Sequence, residues 1–420
     1  MAYSHPLWSH SSNIYEVNTR QYTPEGTFVS FQKHLPRLKD MGVEILWFMP
    51  VTPISEVGRK GSLGSYYAVA DYKKVNPEFG SFEDFVALVE DAQQQGFKVI
   101  VDWVANHSGN DNVWITDHPE YYERDENGHI IHPNGWDDVS KLDFSNNDMQ
   151  EAMIEAMSFW IRKCNIDGFR CDMAHLVQLD FWEKAAAYLQ TIKPGLFWLA
   201  ECEEPAYHAV FDATYTWKWM HASEEFCKHQ LSLPALIQTL YEYDRTFPPN
   251  AYRVYFTSNH DENSWNGTEY EKYGDAAKLL AVFSCTWNGL PMLYSGQELP
   301  NYKRLAFFDK DAIEWGECTL HTFYKKLFAV RAVNPLLRAA DPAVKTSLID
   351  SDQPDKILIF TRSNTTSEVL VILNFSDGAI SIITGLTGMF TDIFNDQPVV
   401  LEKEMPILIN AWDYKVLQKH

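Results

Sequence analysis

The sequence predicts an α/β fold: a closed (β/α)₈ barrel with a short excursion after its third strand and an antiparallel β-sandwich at the C-terminal end. Three observations carry this. Short β-rich runs alternate with helical patterns from Asn13 to Arg338, the rhythm of a parallel sheet flanked by helices. The rhythm is interrupted once, over residues 105–148, by a stretch rich in Asn, Asp, His, Pro and Gly. After Arg338 the helical period gives way to short apolar runs separated by turn residues. A barrel alone uses about 250 residues, so a chain of 420 residues has room for both additions. The predicted boundaries are 1–104 plus 149–338 for the barrel, 105–148 for the excursion and 339–420 for the sandwich.

Taken in order, "NIYEV" reads as the first strand and "TFVSFQKHLPRLKDMG" as the first helix. "EILWFMP" follows as the second strand. In "SFEDFVALVEDAQQQG" a serine cap, acid in the first turn and a closing glycine bound the next helix. "KVIVDWV" is the third strand. Beyond the excursion come the helix "DMQEAMIEAMSFWIRKCN", the fourth strand "GFRCDM", a helix from Phe181 to Ile192 and the fifth strand "LFWLAE". "TYTWK", "YRVYFTS" and "PMLYSG" supply the sixth to eighth strands, and "HTFYKKLFAVRAV" the last helix. "KILIFTR", "EVLVILNF", "AISII" and "VVLE" form the C-terminal β module.

Composition narrows the partners. A formal charge of −22 with no Lys/Arg-rich run argues against nucleic acid, whose phosphates would be repelled. The chain holds 14 Trp and 21 Tyr, and such rings suit stacking on the apolar faces of sugars. Cys164, Cys171, Cys202, Cys227, Cys285 and Cys318 show no CxxC and no paired spacing, so they read as free thiols. "MAYSHPLWSH" lacks the basic and apolar regions of a signal peptide, and no run of 18 apolar residues occurs. The expectation is a cytoplasmic protein with no membrane partner; oligomeric state is not readable.

The ends of the predicted strands carry the chemistry. Asp102 ends the third strand, Asp172 the fourth and Glu201 the fifth, and Asp261 follows the seventh. In a closed barrel these four acids converge on one mouth, accompanied by Arg170, His107 and His260. Crowded carboxylates repel, and a barrel has no structural need of them. Two facing carboxyls are what glycoside hydrolysis requires, one protonated and one ionised. In "DGFRCDMAHL" the two-residue period puts Arg170 and Asp172 on one face, so the cation is expected to hold the aspartate ionised. Glu201, beside apolar "FWLA", is the expected proton carrier. Asp261 either stabilises transition-state charge or grips sugar hydroxyls, and His107 and His260 are placed to donate hydrogen bonds to the sugar.

The stretches "VDWVANH", "DGFRCDMAH", "FWLAE" and "FTSNHD", with "GVEILWFMPVTP" and "GLPMLYSGQE", resemble in order and context the motifs of the α-amylase family, glycoside hydrolase family 13 of clan H. The likeness is to enzymes of the bacterial cytoplasmic type and runs from "NIYEVNTRQY" to the C-terminal module. It implies a retaining mechanism with Asp172 as nucleophile, Glu201 as general acid/base and Asp261 as transition-state stabiliser. It implies sugar contacts from Tyr67 (in "YAVADY"), Asp102, His107, Arg170 and His260, and starch, glycogen or maltooligosaccharides as substrate. Where many relatives carry a calcium-binding aspartate, "VSKLDF" has Lys141, which cannot ligate calcium; Asn106 matches the other common ligand. No cofactor is therefore expected, and structural calcium is disfavoured. Lysine there is similar to the neopullulanase and cyclomaltodextrinase branch, although the first strand begins near Asn13 without that branch's N-terminal module. Met173 after Asp172, in place of a valine associated with α-1,6 preference, leans toward α-1,4 bonds. The alternatives are a cyclomaltodextrinase- or neopullulanase-like hydrolase, a transglycosylase sharing the covalent intermediate, and a non-catalytic binding barrel.

Overall fold

A computed structural model describes residues 5–419. Eight parallel strands close a barrel: β1 (Ile14–Val17), β2 (Ile45–Phe48), β3 (Lys98–Trp103), β4 (Gly168–Cys171), β5 (Phe197–Ala200), β6 (Ala213–Tyr215), β7 (Tyr252–Tyr255) and β8 (Leu290–Tyr294). Each strand pairs with its neighbours in sequence, and β8 returns to β1. Both faces are covered, which is why the strands read as apolar runs. Ile14, Ile45, Trp47, Ile100, Phe197 and Leu199 fill the barrel interior, while Tyr15, Leu46, Phe48, Val99 and Phe169 join the larger cluster that includes the helices.

Local chemistry sets the helix limits. The expected first helix is broken into Phe28–Gln32 and Leu35–Met41. Pro36 is the cause: it donates no N–H, and its ring would crowd the carbonyl four residues back, that of Gln32. Ser81 caps Phe82–Gln94 through a reciprocal box with Asp84, and Gly96 follows with φ +86°. Asn146 caps Asn147–Cys164, which starts two residues before the predicted 149 boundary. Between Trp103 and that helix, the excursion is held by a two-stranded ribbon, His107–Gly109 against Val139–Lys141.

The C-terminal module has eight strands: β9 (Lys345–Ile349), β10 (Ile357–Ser363), β11 (Glu368–Asn374), β12 (Ile380–Ile382), β13 (Gly388–Asp392), β14 (Gln397–Leu401), β15 (Ile407–Ile409) and β16 (Tyr414–Lys419). Six form an antiparallel sheet in the order β9-β10-β11-β16-β13-β14, and β12 pairs with β15. Alternation sorts the faces. Leu358, Phe360, Val369 and Val371 join the main cluster of the barrel, whereas Ile357, Ile359, Leu370 and Ile372 pack with Ile382, Ile407 and Ile409. The expected sandwich is thus a large sheet covered by a two-stranded one. Among the described residues no helix is long and apolar enough to cross a membrane.

One close approach governs the packing of β4 against β5 at their start. A Cβ on Gly168, which opens β4, would lie 2.0 Å from the Phe197 carbonyl oxygen of β5, far inside contact distance. Gly168→Ala is expected to destabilise the fold by about 2 kcal/mol or more through overpacking against backbone, read as a lowered denaturation midpoint.

Candidate active site

The strand ends assemble around one guanidinium. Asp102 and Arg170 are cross-strand partners in the β3–β4 register. Arg170 Nη1 donates to Asp102 Oδ1 at 2.9 Å and to Asp172 Oδ1 at 3.2 Å, and Nη2 lies 2.8 Å from Glu201 Oε2. The Arg170 side chain is fully buried, with its carbon centre 4.8 Å from the Trp47 ring centroid and 5.6 Å from that of Tyr215. The fourth strand ends at Cys171, not at Met173 as predicted. Met173 takes a left-handed conformation (φ +41°), which side chains other than glycine rarely adopt, and its N–H donates to Glu201 Oε2 at 2.9 Å. The turn that carries Asp172 thereby also fixes Glu201.

A second ion cluster lies beside the first. His260 Nδ1 is 2.5 Å from Glu16 Oε1, its Nε2 is 3.3 Å from Asp261 Oδ2, and Tyr67 Oη is 2.7 Å from the same Nε2. Tyr67 also donates to Asp102 Oδ2 at 3.0 Å, joining the two clusters. Burial alone would lower the His260 pKa, yet the carboxylates of Asp261 and Glu16 raise it well above the ordinary histidine value. Reciprocally, burial opposes it but His260 holds Asp261 below the usual carboxylate range.

The expectation for Asp172 is corrected. Its pKa stands well above the usual carboxylate range, raised first by burial and next by Glu201, with Arg170 opposing. One guanidinium divided among three carboxyls does not offset their mutual repulsion. Asp102 is likewise pushed up to about 6 by burial, against Arg170 and His260.

A cleft of about 310 Å³ opens at the mouth, lined by Tyr67, His107, Asp172, Glu201 and Asp261 among the residues singled out from sequence. Asp102, Arg170 and His260 lie behind this lining, with side chains at most 1% exposed. The cleft also contains residues that sequence reasoning missed: Lys60, Asp138, Phe307 and Phe308. Glu16 was missed too, although a lone acid in the apolar strand "NIYEV" is a legible signal. Of the tryptophans, Trp136 and Trp265 line the cleft, whereas Trp103 and Trp219 are buried. At the calcium candidate, the Asn106 side chain meets His107, and Lys141 pairs with Glu123 at 2.9 Å. Among the described residues no cluster of three His, Cys, Asp or Glu side chains is arranged to hold a metal.

A parallel barrel that gathers acids around an aromatic-lined cleft at its strand ends is the frame of a barrel glycoside hydrolase. The chain matches the family described as alpha amylase, catalytic domain, over residues 12–138 and 122–319. It belongs to that family, glycoside hydrolase family 13. The structure of an alpha-amylase from Lactobacillus plantarum is similar with a TM-score of 0.88 and 28% identity, covering 98% of this chain and 99% of that one. That of a noncanonic maltogenic alpha-amylase from Thermotoga neapolitana is similar at 0.89 and 29%, with the same coverage. An alpha-amylase of Haloarcula japonica is 26% identical over 395 residues, 89% of this chain; the chain spans 56% of that relative's length.

His107 gives a pH prediction. Asn106 Nδ2 lies 3.2 Å from His107 Nδ1, a contact suited to a neutral ring, and burial lowers its pKa from 6.5 to about 4. Below pH 6.5 the unfolded chain takes a proton that the folded ring refuses, so this contribution to stability is present above 6.5 and lost as the pH falls toward 4. It amounts to roughly 3 kcal/mol at most. His107→Gln should therefore show a smaller drop in Tm than the wild type between pH 7 and pH 4.5; an equal drop in both would contradict the assignment.

Proposed function

We propose that the protein is a retaining hydrolase of α-1,4 bonds in maltooligosaccharides, glycogen or starch, with Asp172 as nucleophile, Glu201 as acid/base and Asp261 as transition-state stabiliser. The observation that carries the reading is the single guanidinium touching both Asp172 and Glu201. Such sharing supports a close carboxyl pair, and the double displacement uses a spacing of roughly 5–5.5 Å.

In the first step Glu201 donates its proton to the glycosidic oxygen as Asp172 attacks the anomeric carbon from the opposite face. The bond to the leaving oxygen breaks, and a covalent glycosyl ester forms on Asp172. In the second step Glu201, now a carboxylate, takes a proton from water, which attacks the same carbon and releases the sugar with its original anomeric configuration. The proton on Glu201 serves two purposes. It goes to the leaving group, and while it is present the Glu201 charge, which after burial does most to raise the Asp172 pKa, is absent, while Arg170 continues to oppose that rise. Asp261, anionic beside His260, faces the positive charge that develops at the anomeric carbon. Tyr67 offers a ring to the sugar from the cleft wall. Tyr67, His107, Asp102, Arg170 and His260 together hold the reacting glucose, the last three through the layer beneath the wall.

No cofactor enters this scheme, and the Lys141–Glu123 pair supports activity without calcium at that place. Met173 supports the α-1,4 assignment. The six free cysteines support a reducing, cytoplasmic setting, and the −22 charge supports a neutral glucan over nucleic acid as partner.

Incubation with maltoheptaose in EDTA, followed by NMR at early times, should give shorter products in the α configuration. Products appearing first as β anomers would overturn retention, and products longer than the substrate would replace hydrolysis by transfer to sugar. Asp172→Asn should lower kcat by about 10⁴-fold or more while leaving the Tm within a few degrees, as expected for loss of a nucleophile. Retained activity would remove Asp172 from that role.

A further inference from the structure

The rim of the cleft is uneven. On one side β6 passes to the helix Trp217–Cys227 through Thr216 alone, and β4 passes to the turn Ala174–Leu176 through Asp172 and Met173. On the other side stand three long connections: residues 49–81 after β2, the excursion after β3, and 295–320 after β8. The first ties the other two together. Glu56 and Val57 donate their N–H groups to Asp111 Oδ2 of the excursion at 2.8 and 3.1 Å, and Lys60 Nζ lies 2.9 Å from Asp138 Oδ1 and 3.1 Å from Asp137 Oδ1. Two residues further on, Ser62 donates from its N–H and its hydroxyl to Asp309 Oδ1 at 2.8 and 2.6 Å, and Leu63 N–H donates to the Phe308 carbonyl at 2.9 Å. Gly61 permits this approach: its φ is +61°, and a Cβ there would lie 2.6 Å from Phe308 Cβ. Residues 56–63 thus form a strap from the excursion to the connection after β8, and Lys60, Asp138 and Phe308 all line the cleft.

The strap's side relative to the reaction follows from barrel order. The loops it joins follow β3 and β8, so it crosses the β1–β2 quarter of the mouth. Glu201 follows β5, which lies opposite β1 in a ring of eight. The proton donor faces the leaving group, so the strap stands on the far side, against the part of the glucan that stays on the enzyme. The cleft's 310 Å³ is at the lower end of the roughly 300–1,000 Å³ of ligand pockets.

Resting on the hydrolase reading above, we propose that the strap closes the cleft beyond the non-reducing end of the bound sugar, so that the enzyme acts from chain ends on short α-glucans. Lys60 acts as a specificity residue. Its ammonium has three donors, of which Asp137 and Asp138 take two, and with 36% of its side chain exposed it meets the hydroxyls of the terminal sugar. An internal segment of a long chain would have to pass through the strap.

The test compares maltoheptaose with maltoheptaose whose non-reducing end is blocked by a 4,6-ethylidene group, products being resolved by length. The wild type should cleave the blocked substrate at least about tenfold more slowly in kcat/KM, a size of discrimination one obstructed subsite supplies. Lys60→Ala combined with Asp309→Ala removes one side-chain tether at each end of the strap, with the Lys60 ammonium, and should narrow the ratio to about threefold or less. Lys60→Arg, which keeps the bridge to Asp138, should preserve the wild-type ratio, and Tm reports folding of each variant. Equal cleavage of both substrates by the wild type would overturn the strap's role while leaving the hydrolase reading intact. So would an unchanged ratio in the folded double variant. Cleavage of neither substrate would overturn the hydrolase reading and the inference with it.

Discussion

The site depends on one buried cation. Arg170 has no exposed side-chain surface, and an isolated guanidinium in such a place would be costly. It is tolerated because Asp102, Asp172 and Glu201 surround it and the rings of Trp47, Tyr67 and Tyr215 face it. The dependence runs both ways: without the guanidinium three largely buried carboxyls would lose the cation they share. Arg170 is therefore both a structural requirement of the barrel mouth and the group that sets where the two carboxyls point.

The barrel supplies the remaining precision by register. Asp102 sits opposite Arg170 because β3 and β4 pair in that phase, and Glu201 reaches back to the Met173 N–H because β5 pairs with β4. The missing side chain at Gly168 lets β4 and β5 approach at their start. Two short strands, one absent Cβ and one left-handed turn place Asp172 and Glu201 on adjacent strands facing one cleft. Loops contribute differently: Tyr67 arrives on the long connection after β2 and ties the Arg170 cluster to the His260 cluster through its hydroxyl.

Much of this was legible because it follows from periodicity. Strands with both faces buried read as apolar runs, so an acid at the end of one stands out, as Asp102, Asp172 and Glu201 do, while Asp261 follows the seventh strand in "FTSNHD". Ser81 with Asp84 is a local cap that sequence displays directly, whereas the helix that Asn146 caps starts two residues before the predicted boundary. The misses have physical reasons. β9, β13, β15 and β16 carry half-exposed, mixed patterns whose strand character comes from pairing, not propensity. The period-two reading ran past Cys171 because nothing local announces that Met173 turns left-handed; the Glu201 contact from the next strand decides it. Lys60, Asp138, Phe307 and Phe308 lie on loops, where sequence gives no facing.

The electrostatics of the mouth also follow from this construction. Five acids, Glu16, Asp102, Asp172, Glu201 and Asp261, are gathered around two cations, Arg170 and His260. Burial, and for Asp172 next the Glu201 charge, holds Asp102 and Asp172 above the usual carboxylate range, whereas His260 holds Asp261 below it. A neutral sugar does little to relieve that excess of negative potential. In the proposed reaction, charge arises only as the glycosidic bond stretches and the anomeric carbon becomes positive, at a place where Asp172 and Asp261 line the cleft and face it. The stabilisation is thus concentrated on the transition state and withheld from the ground state, which is the condition for raising kcat instead of merely tightening binding. The crowding that a structural account of the barrel leaves unexplained becomes, on this view, the source of the rate.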